Sequence, residues 1–403
     1  MAIYRNTAWQ ELNHIKKPID KRQERSYNIN TAKQIPATIE RPKMSEKMSS
    51  NRTVTPNEAK RSLRKCVKIK RPVFLWGPPG IGKSDIVKQI GDEAGRDVID
   101  VRLSLWEPTD IKGIPYFDSN ANTMTWAPPA ELPTDPESTA ILFLDELNSA
   151  APATQAAAFQ LVLNRRVGTY LLPKGVSIIA AGNRETDKGV TYRMPSPLAN
   201  RFVHLELKTD YEDWLQWATT NRVHEQVVGY VGFAKQDLYD FDPKSSSRAF
   251  ATPRSWSFVS ELLTDDDLDE GTLTDLVAGA VGEGLAVKFM AHRKVAKQMP
   301  NPTDILMGKV EKCSIKEISA MYSLAISLCY ELQTADQKQV KGWDQMADNF
   351  FKFLMANFPT ELVVMGAKVA LTNYELPFDA SKMDHFEQFH AKYGKYIITA
   401  MEN

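Results

Sequence analysis

A glycine-rich segment near the first quarter of the chain constrains this sequence more than any other feature. It matches the pattern G-x-x-x-x-G-K-[ST] and consists of Gly77, Pro78, Pro79, Gly80, Ile81, Gly82, Lys83 and Ser84. Glycines let backbone N–H groups close around phosphate oxygens because no Cβ stands in the way. An apolar run precedes the segment and a helix is predicted from residue 83 to about 94, so a helix N-terminus would face the phosphates. We predict that Lys83 reaches the β- and γ-phosphates of ATP and that Ser84 binds Mg²⁺.

Two carboxylates follow an apolar run at residues 141–144, which is predicted to be a buried strand. Ligands of open parallel sheets lie at the carboxyl ends of strands, where Asp145 and Glu146 would stand. We expect Asp145 to belong to the Mg²⁺ shell together with Ser84. Glu146 could then polarise an attacking water as a general base.

Asn183 follows another apolar run, residues 176–181, which is also predicted to be a strand. A neutral amide at this strand end could orient the same water near the γ-phosphate. The alternative is an asparagine that only supports a turn.

Two arginines complete the candidate set. Arg201 stands just before the apolar run 202–207, and phosphoryl transfer gains greatly when a guanidinium meets the developing charge. Arg254 begins a predicted helix, where a cation opposes the helix dipole and therefore suggests a phosphate partner. A surface salt bridge is the alternative for Arg254.

The order of patterns along the chain predicts an α/β parallel-sheet core followed by helices. Strands that are apolar throughout and alternate with helices indicate a sheet covered on both faces. Residues 114–117 and 123–126 flank a turn-forming segment and predict an inserted β-hairpin. After about residue 209 only helical spacing is found, including 254–263, 273–292, 315–332 and 340–358. We therefore expect a basic arm at 1–54, an α/β domain at 55–209, a helical lid at 210–300 and a helical extension at 301–403.

The net charge of zero conceals an asymmetry. Residues 1–72 contain 18 Lys and Arg against 6 Asp and Glu, which leaves 32 against 44 in the rest of the chain. A basic arm could bind nucleic acid or an acidic partner, or it could be solvated or dock on the acidic body. The sequence offers no apolar stretch long enough to cross a bilayer and no signal-peptide core, which favours a cytoplasmic protein.

These motifs, in this order, resemble those of the AAA+ ATPases and, within them, the MoxR-like group. The resemblance covers roughly residues 55–300. The phosphate loop resembles the Walker A motif, Asp145 and Glu146 resemble Walker B, and Asn183 resembles the sensor-1 residue. Arg201 is similar to the arginine finger, and Arg254 to the sensor-2 arginine.

The resemblance implies a parallel-sheet P-loop fold and a ring oligomer, commonly a hexamer, with ATP between subunits and the finger donated by a neighbour. It also implies chaperone-like remodelling of a protein partner and pairing with a protein that bears a von Willebrand factor A domain. Two other functions stay open: a motor stimulated by nucleic acid, and an assembly switch or scaffold that responds to ATP. Aromatic residues of the inserted hairpin could grip a substrate or could pack onto their own sheet.

Overall fold

The computed structural model describes residues 52–187, 191–264, 268–314 and 316–402, with side chains described through residue 396. Ten strands lie in the first half of this range. They are β1 (Thr53–Val54), β2 (Val73–Trp76), β3 (Val98–Arg102), β4 (Ile114–Asp118), β5 (Thr123–Ala127), β6 (Ile141–Asp145), β7 (Arg166–Val167), β8 (Tyr170–Leu171), β9 (Ser177–Gly182) and β10 (Val203–Leu207).

Six of these strands form one parallel sheet in the order β1-β10-β2-β9-β6-β3. The central strands β6 and β9 are buried along their whole length, as expected of a parallel sheet with both faces covered. The predicted α/β parallel-sheet fold is therefore confirmed. The sequence pattern anticipated four of the six strands. β10 and β1 extend the sheet beyond β2, and β1 contains residues that were assigned to the basic arm.

Helices cover both faces of the sheet and create two separate hydrophobic clusters. In chain order the helices of the α/β half are α1 (Pro56–Lys68), α2 (Lys83–Ala94), α3 (Pro108–Lys112), α4 (Pro152–Asn164) and α5 (Ser196–Ala199). Thr55 begins α1 with a capping box, because its side chain accepts from the backbone of Glu58 while the Glu58 carboxylate accepts from the backbone of Thr55.

Two β-hairpins stand apart from the sheet. β4 and β5 form the hairpin that the sequence predicted, and β7 and β8 form a second, shorter one. The two hairpins are in contact: the Thr169 hydroxyl donates a hydrogen bond to the Trp126 carbonyl at 3.0 Å. Tyr116 and Phe117 are 50% and 65% exposed, so these two aromatics do not pack on the main sheet.

The second half of the described chain is helical, as predicted. Its helices are α6 (Tyr211–Thr220), α7 (Glu225–Phe233), α8 (Pro253–Leu262), α9 (Glu270–Val281), α10 (Glu283–Ala296), α11 (Pro302–Leu306), α12 (Ile318–Gln337), α13 (Trp343–Asn357), α14 (Thr360–Thr372) and α15 (Asp384–Glu402). One hydrophobic core runs through them from Trp214 to Tyr393. None of these helices combines the length and apolarity that a bilayer crossing needs, nor does any other helix among the described residues.

The single helix predicted at residues 273–292 is two helices. Gly282 separates α9 from α10 with φ of +95°, a conformation that favours glycine. A Cβ at this position would also lie 3.2 Å from the Ala249 carbonyl oxygen. Apolar spacing continues across the break, which is why the sequence pattern did not reveal it.

His292 is a buried neutral imidazole between α10 and α12. Its Nε2 lies 3.2 Å from the Ser319 carbonyl oxygen, to which it donates, and 3.2 Å from the Ser323 hydroxyl. Its Nδ1 is buried and has no hydrogen-bond partner among the described residues. Burial lowers the pKa of His292 below 6.5, and outweighs the raising effects of the Ser319 carbonyl and of the Glu317 carboxylate.

We expect acid to destabilise this helical region through His292. As the pH falls below 6.5, His292 becomes protonated in the unfolded chain but stays neutral in the folded protein. The free energy of unfolding therefore decreases until the pH reaches the pKa of His292 in the folded protein. A tenfold difference between the proton dissociation constants of His292 in the folded and unfolded states corresponds to about 1.4 kcal/mol. Thermal unfolding of the wild type at about pH 7.5 and about pH 5.5 should show this loss. The His292→Gln variant should lose less stability over the same pH range. Burial also lowers the pKa of His224, so we expect His224 to cause the part of the acid loss that persists in this variant. Equal acid losses in wild type and variant would contradict the assignment.

Candidate functional site

The glycine-rich segment forms a loop between β2 and α2. Lys83 is the first residue of α2, and its ammonium is bound by three neutral oxygens at the carboxyl ends of β2 and β9. Its Nζ donates to the carbonyls of Gly77 at 2.7 Å and Pro78 at 3.1 Å, and to the Asn183 Oδ1 at 2.9 Å. The positive end of the α2 dipole points toward the same place. Lys83 and Asn183, which are 100 residues apart, are therefore in direct contact.

The ammonium is less basic than a free lysine. The pKa of Lys83 is lowered to about 8, chiefly by burial, with a smaller lowering effect of the Arg254 guanidinium, while the carboxylates of Asp145, Asp187 and Glu146 raise it. An anion bound beside Lys83 would favour the charged form. The loop is therefore prepared for a polyanion that the protein itself does not supply.

The predicted metal ligands lie side by side. The Ser84 hydroxyl donates to the Asp145 Oδ2 at 3.0 Å, and Asp145 is buried at the end of β6. A hydroxyl and a carboxylate are oxygen ligands of the kind that Mg²⁺ prefers, with phosphate oxygens and waters completing its shell. The residues present thus fit a magnesium ion.

Glu146 follows Asp145 in a conformation that is unusual for a side chain of its size. Its φ is +55°, in the left-handed region, which costs about 1 to 3 kcal/mol for a residue with a side chain. Its backbone N–H donates to the Asp145 Oδ1 at 2.9 Å. The Ser104 hydroxyl, beyond the end of β3, donates to the Glu146 carboxylate. Nothing in the sequence around Ser104 indicated this contact.

A second asparagine, Asn148, holds the backbone of Asn183 in place by a hydrogen bond. The Asn148 amide donates to the Asn183 carbonyl at 2.7 Å and is buried. Its Oδ1 lies so close to Gly182 that a Cβ there would be 1.9 Å away, so the residue before Asn183 has to be glycine. Asn148 stands two positions after Glu146, and that proximity is the one signal that could have identified it.

The helical half contacts the phosphate loop directly. Gly80 has φ of +73°, and a Cβ there would lie 2.6 Å from the Thr252 hydroxyl oxygen. The Tyr239 hydroxyl donates to the Pro79 carbonyl at 3.4 Å. Arg254, in the first turn of α8, donates its backbone N–H to the Gly80 carbonyl at 3.4 Å. Ile81 anchors the loop from the other side, since it is buried in the core beneath the sheet.

A cavity of about 710 Å³ opens from this loop. Its walls come from α1, the phosphate loop, β3, α6 and α8. The exposed Arg254 side chain lines it together with Gly82 and Ser84, and no described residue accepts a hydrogen bond from that guanidinium. Arg254 therefore forms no salt bridge with any residue that the structure describes, and we expect its charge to be available to a ligand in the cavity.

Arg201 is the one predicted site residue that lies elsewhere. It precedes β10, whose first residue, Val203, pairs with Val73 at the start of β2. The phosphate loop begins after the opposite end of β2, about 13 Å farther along the strand direction at about 3.3 Å per residue. The Arg201 side chain is exposed and forms no hydrogen bond with a described residue. It does not reach the loop of its own chain.

Comparison with known proteins agrees with this geometry. Residues 72–204 match the family described as "ATPase family associated with various cellular activities (AAA)". The α/β core of the chain is an AAA+ ATPase domain. This match begins just before β2 and ends within β10, so it contains the phosphate loop, both carboxylates, Asn183 and Arg201.

The chain is also similar in sequence to Midasin from Giardia intestinalis, with 29% identity over 204 residues. That alignment covers 47% of this chain and 4% of Midasin. The chain therefore spans a small fraction of the length of this relative.

Solved structures resemble this chain only distantly. NtrX from Brucella abortus in complex with ATP is 14% identical, with a TM-score of 0.35 over 86% of this chain and 69% of NtrX. A variant of RuvB from Thermotoga maritima is 17% identical, with a TM-score of 0.33 over 75% of this chain and 90% of RuvB. Scores this low add nothing to the fold described above.

We expect the affinity for ATP to fall as the pH rises through the pKa of Lys83, about 8. Bound phosphates raise that pKa, so binding takes up a proton when the free lysine is neutral. The Kd should be about tenfold higher at about pH 9 than at about pH 7. Isothermal titration of Lys83→Arg, whose guanidinium stays charged throughout, provides the control for the ionisation of ATP itself. A wild-type Kd that changes no more than that of the variant would contradict this role for Lys83.

Proposed function

We propose that the chain is a ring-forming AAA+ ATPase of the MoxR-like group, in which each ATP is hydrolysed at the boundary between two copies. The observation that carries the proposal is the position of Arg201. Its guanidinium is exposed, and Arg201 precedes β10 at the amino-terminal ends of the parallel strands, whereas the phosphate loop of its own chain follows the carboxyl end of β2. The phosphate loop therefore lacks an arginine finger unless a second copy supplies one.

Such a contact is head-to-tail, because the surface that carries Arg201 differs from the surface that carries the phosphate loop. Head-to-tail contacts close into rings or extend into filaments. The MoxR-like resemblance favours a closed ring, commonly of six copies.

Each residue of the site has a place in hydrolysis. Lys83 and the loop backbone bind the β- and γ-phosphates. Ser84 and Asp145 would hold Mg²⁺, which when bound would neutralise charge on the phosphate oxygens. Glu146 accepts a proton from the attacking water, which Asn183 orients. Arg254 binds the γ-phosphate from the lid. Arg201 of the adjacent copy stabilises the negative charge that develops as water attacks the γ-phosphorus and its bond to the departing ADP breaks.

The inserted hairpins favour a protein as the partner that is remodelled. Ile114, Tyr116, Phe117 and Met124 of the first hairpin and Leu171 of the second are all at least half exposed. In the first hairpin Ile114 and Tyr116 share one face, and Phe117 pairs with Met124 on the other. Exposed apolar side chains on both faces favour contacts with proteins. The resemblance adds a von Willebrand factor A domain protein as a candidate partner. The basic segment that would support nucleic-acid binding lies largely outside the described residues.

A mixing experiment tests the shared site. Arg201→Ala should bind ATP but hydrolyse it at least about 10³-fold more slowly, as expected for the loss of an arginine finger. Lys83→Ala should fail to bind ATP. Mixed assemblies of the two variants should regain activity, because a subunit with an intact phosphate loop can then stand beside one with an intact Arg201. Measurement of ATPase rates across mixing ratios shows this. Mixed assemblies that stay inactive, although native mass spectrometry finds both variants in them, would refute the shared site.

A trapping experiment tests the class of partner. Glu146→Gln should bind ATP without hydrolysing it and should retain its substrate. We expect affinity purification of this variant with ATP, after nuclease treatment, to recover a protein. The same variant carrying Tyr116→Ser and Phe117→Ser should release that protein while its ATP affinity stays unchanged. Recovery of nucleic acid instead, or of the same protein regardless of the hairpin substitutions, would contradict the proposed remodelling of a protein.

A further inference from the structure

A bridge of side chains joins the phosphate-loop strand to the turn that carries Arg201. Trp76 is the last residue of β2 and directly precedes Gly77 of the loop. Its indole Nε1 donates to the Nδ1 of His204 on β10 at 2.9 Å. The other ring nitrogen of His204, Nε2, lies 2.8 Å from the Ala199 carbonyl oxygen. His204 thus contacts both segments at once.

The chemistry of the partners fixes the tautomer of His204. The indole N–H can only donate, so the Nδ1 of His204 has to accept. The ring proton is then on Nε2, which donates to the Ala199 carbonyl. A second proton on Nδ1 would point at the indole N–H and break the bridge. Only a neutral imidazole with this tautomer makes both hydrogen bonds.

The carbonyl that His204 binds closes the turn of Arg201. The Phe202 N–H donates to the same Ala199 oxygen at 3.2 Å, and Arg201 lies between these two residues. The Arg201 N–H donates to the Leu198 carbonyl at 2.9 Å. The backbone of Arg201 is therefore held by a turn whose closing oxygen also receives the His204 hydrogen bond.

Aromatic packing makes the base of this bridge rigid. Phe74 is fully buried and stacks on Trp76, with ring centroids 4.1 Å apart. It also meets Phe202 edge to face at 5.6 Å. Phe74 and Trp76 are two positions apart on β2 and share a face of the sheet. The phosphate-loop strand and the Arg201 turn consequently pack against the same rings.

We propose that His204 is a positioning residue for Arg201. It fixes the position of the Arg201 turn relative to the phosphate loop of the same chain, because it is hydrogen-bonded both to Ala199 in that turn and to Trp76 beside the loop. This inference rests on the proposed role of Arg201 at the site of the adjacent copy. It implies that a change at one phosphate loop is transmitted to the finger that serves the next site. His204 acts through Arg201 and does not itself contact ATP.

Two substitutions separate the hydrogen bonds from the packing. His204→Phe keeps an aromatic ring but removes both hydrogen bonds, whereas His204→Gln keeps one acceptor and one donor. We expect His204→Phe to lower kcat by about tenfold, part of the effect of losing the finger altogether. Its Kd for ATP should stay within about twofold of the wild-type value, since the phosphate loop is untouched. His204→Gln should recover most of the lost kcat, and Trp76→Phe, which removes only the indole N–H, should resemble His204→Phe.

Mixed assemblies locate the defect. His204→Phe subunits retain an intact phosphate loop, so their activity should increase when Lys83→Ala subunits supply an intact Arg201. It should not increase when they are mixed with Arg201→Ala subunits, because neither then supplies a well-positioned finger. The reverse pattern, or no recovery with either partner, would overturn the inference. Equal kcat values for His204→Phe and His204→Gln would overturn it as well.

The parent mixture of Arg201→Ala with Lys83→Ala distinguishes this inference from the proposed function. If the parent mixture regains activity and the His204→Phe mixture with Lys83→Ala does not, the role of His204 is wrong and the shared site stands. If the parent mixture itself stays inactive in confirmed mixed assemblies, the shared site is wrong and the role of His204 falls with it.

Discussion

A lysine ammonium surrounded by neutral oxygens is the interaction on which this structure depends. Lys83 donates to two carbonyls of its own loop and to the amide oxygen of Asn183, and none of these partners cancels its charge. Burial makes the charged form costly, as the lowered pKa of Lys83 records. A polyanion that enters the loop stabilises the charged form of Lys83, because it supplies negative charge that the hydrogen-bond partners of this ammonium lack.

The other features of the site are arranged around that ammonium. Asp145 and Glu146 approach it because β6 lies next to β9 in the sheet, and Asn183 approaches because β9 lies next to β2. The helical half reaches it through Gly80, where only a glycine leaves room for Thr252. ATP in the cavity would therefore touch the α/β core and the helical half together. Arg201 stands outside this arrangement, and this position is the basis for the proposal that a second chain completes the site.

Local sequence was sufficient for the motifs and for most elements of the AAA+ core. The phosphate loop, the carboxylates at the end of β6 and the first hairpin all depend on residues that are adjacent in the chain. Gly282, Ser104 and Asn148 were missed for different reasons. The helical period hides the break at Gly282, and the partners of Ser104 and Asn148 are set by packing between elements distant in sequence. β1 was missed because two residues are too few to show a period.

The sequence by itself determined that this chain has a phosphate-binding loop between a strand and a helix, and a strand that ends in two carboxylates. Spacing and residue type are enough for that, because the chemistry lies within a few consecutive residues. Only the tertiary structure decided which residues of the set share one cavity, and that Arg201 lies at the opposite end of the parallel strands from the phosphate loop. It also decided that His204 bridges Trp76 and Ala199. Strand order and register, which depend on contacts across more than a hundred residues, bring such groups together or keep them apart.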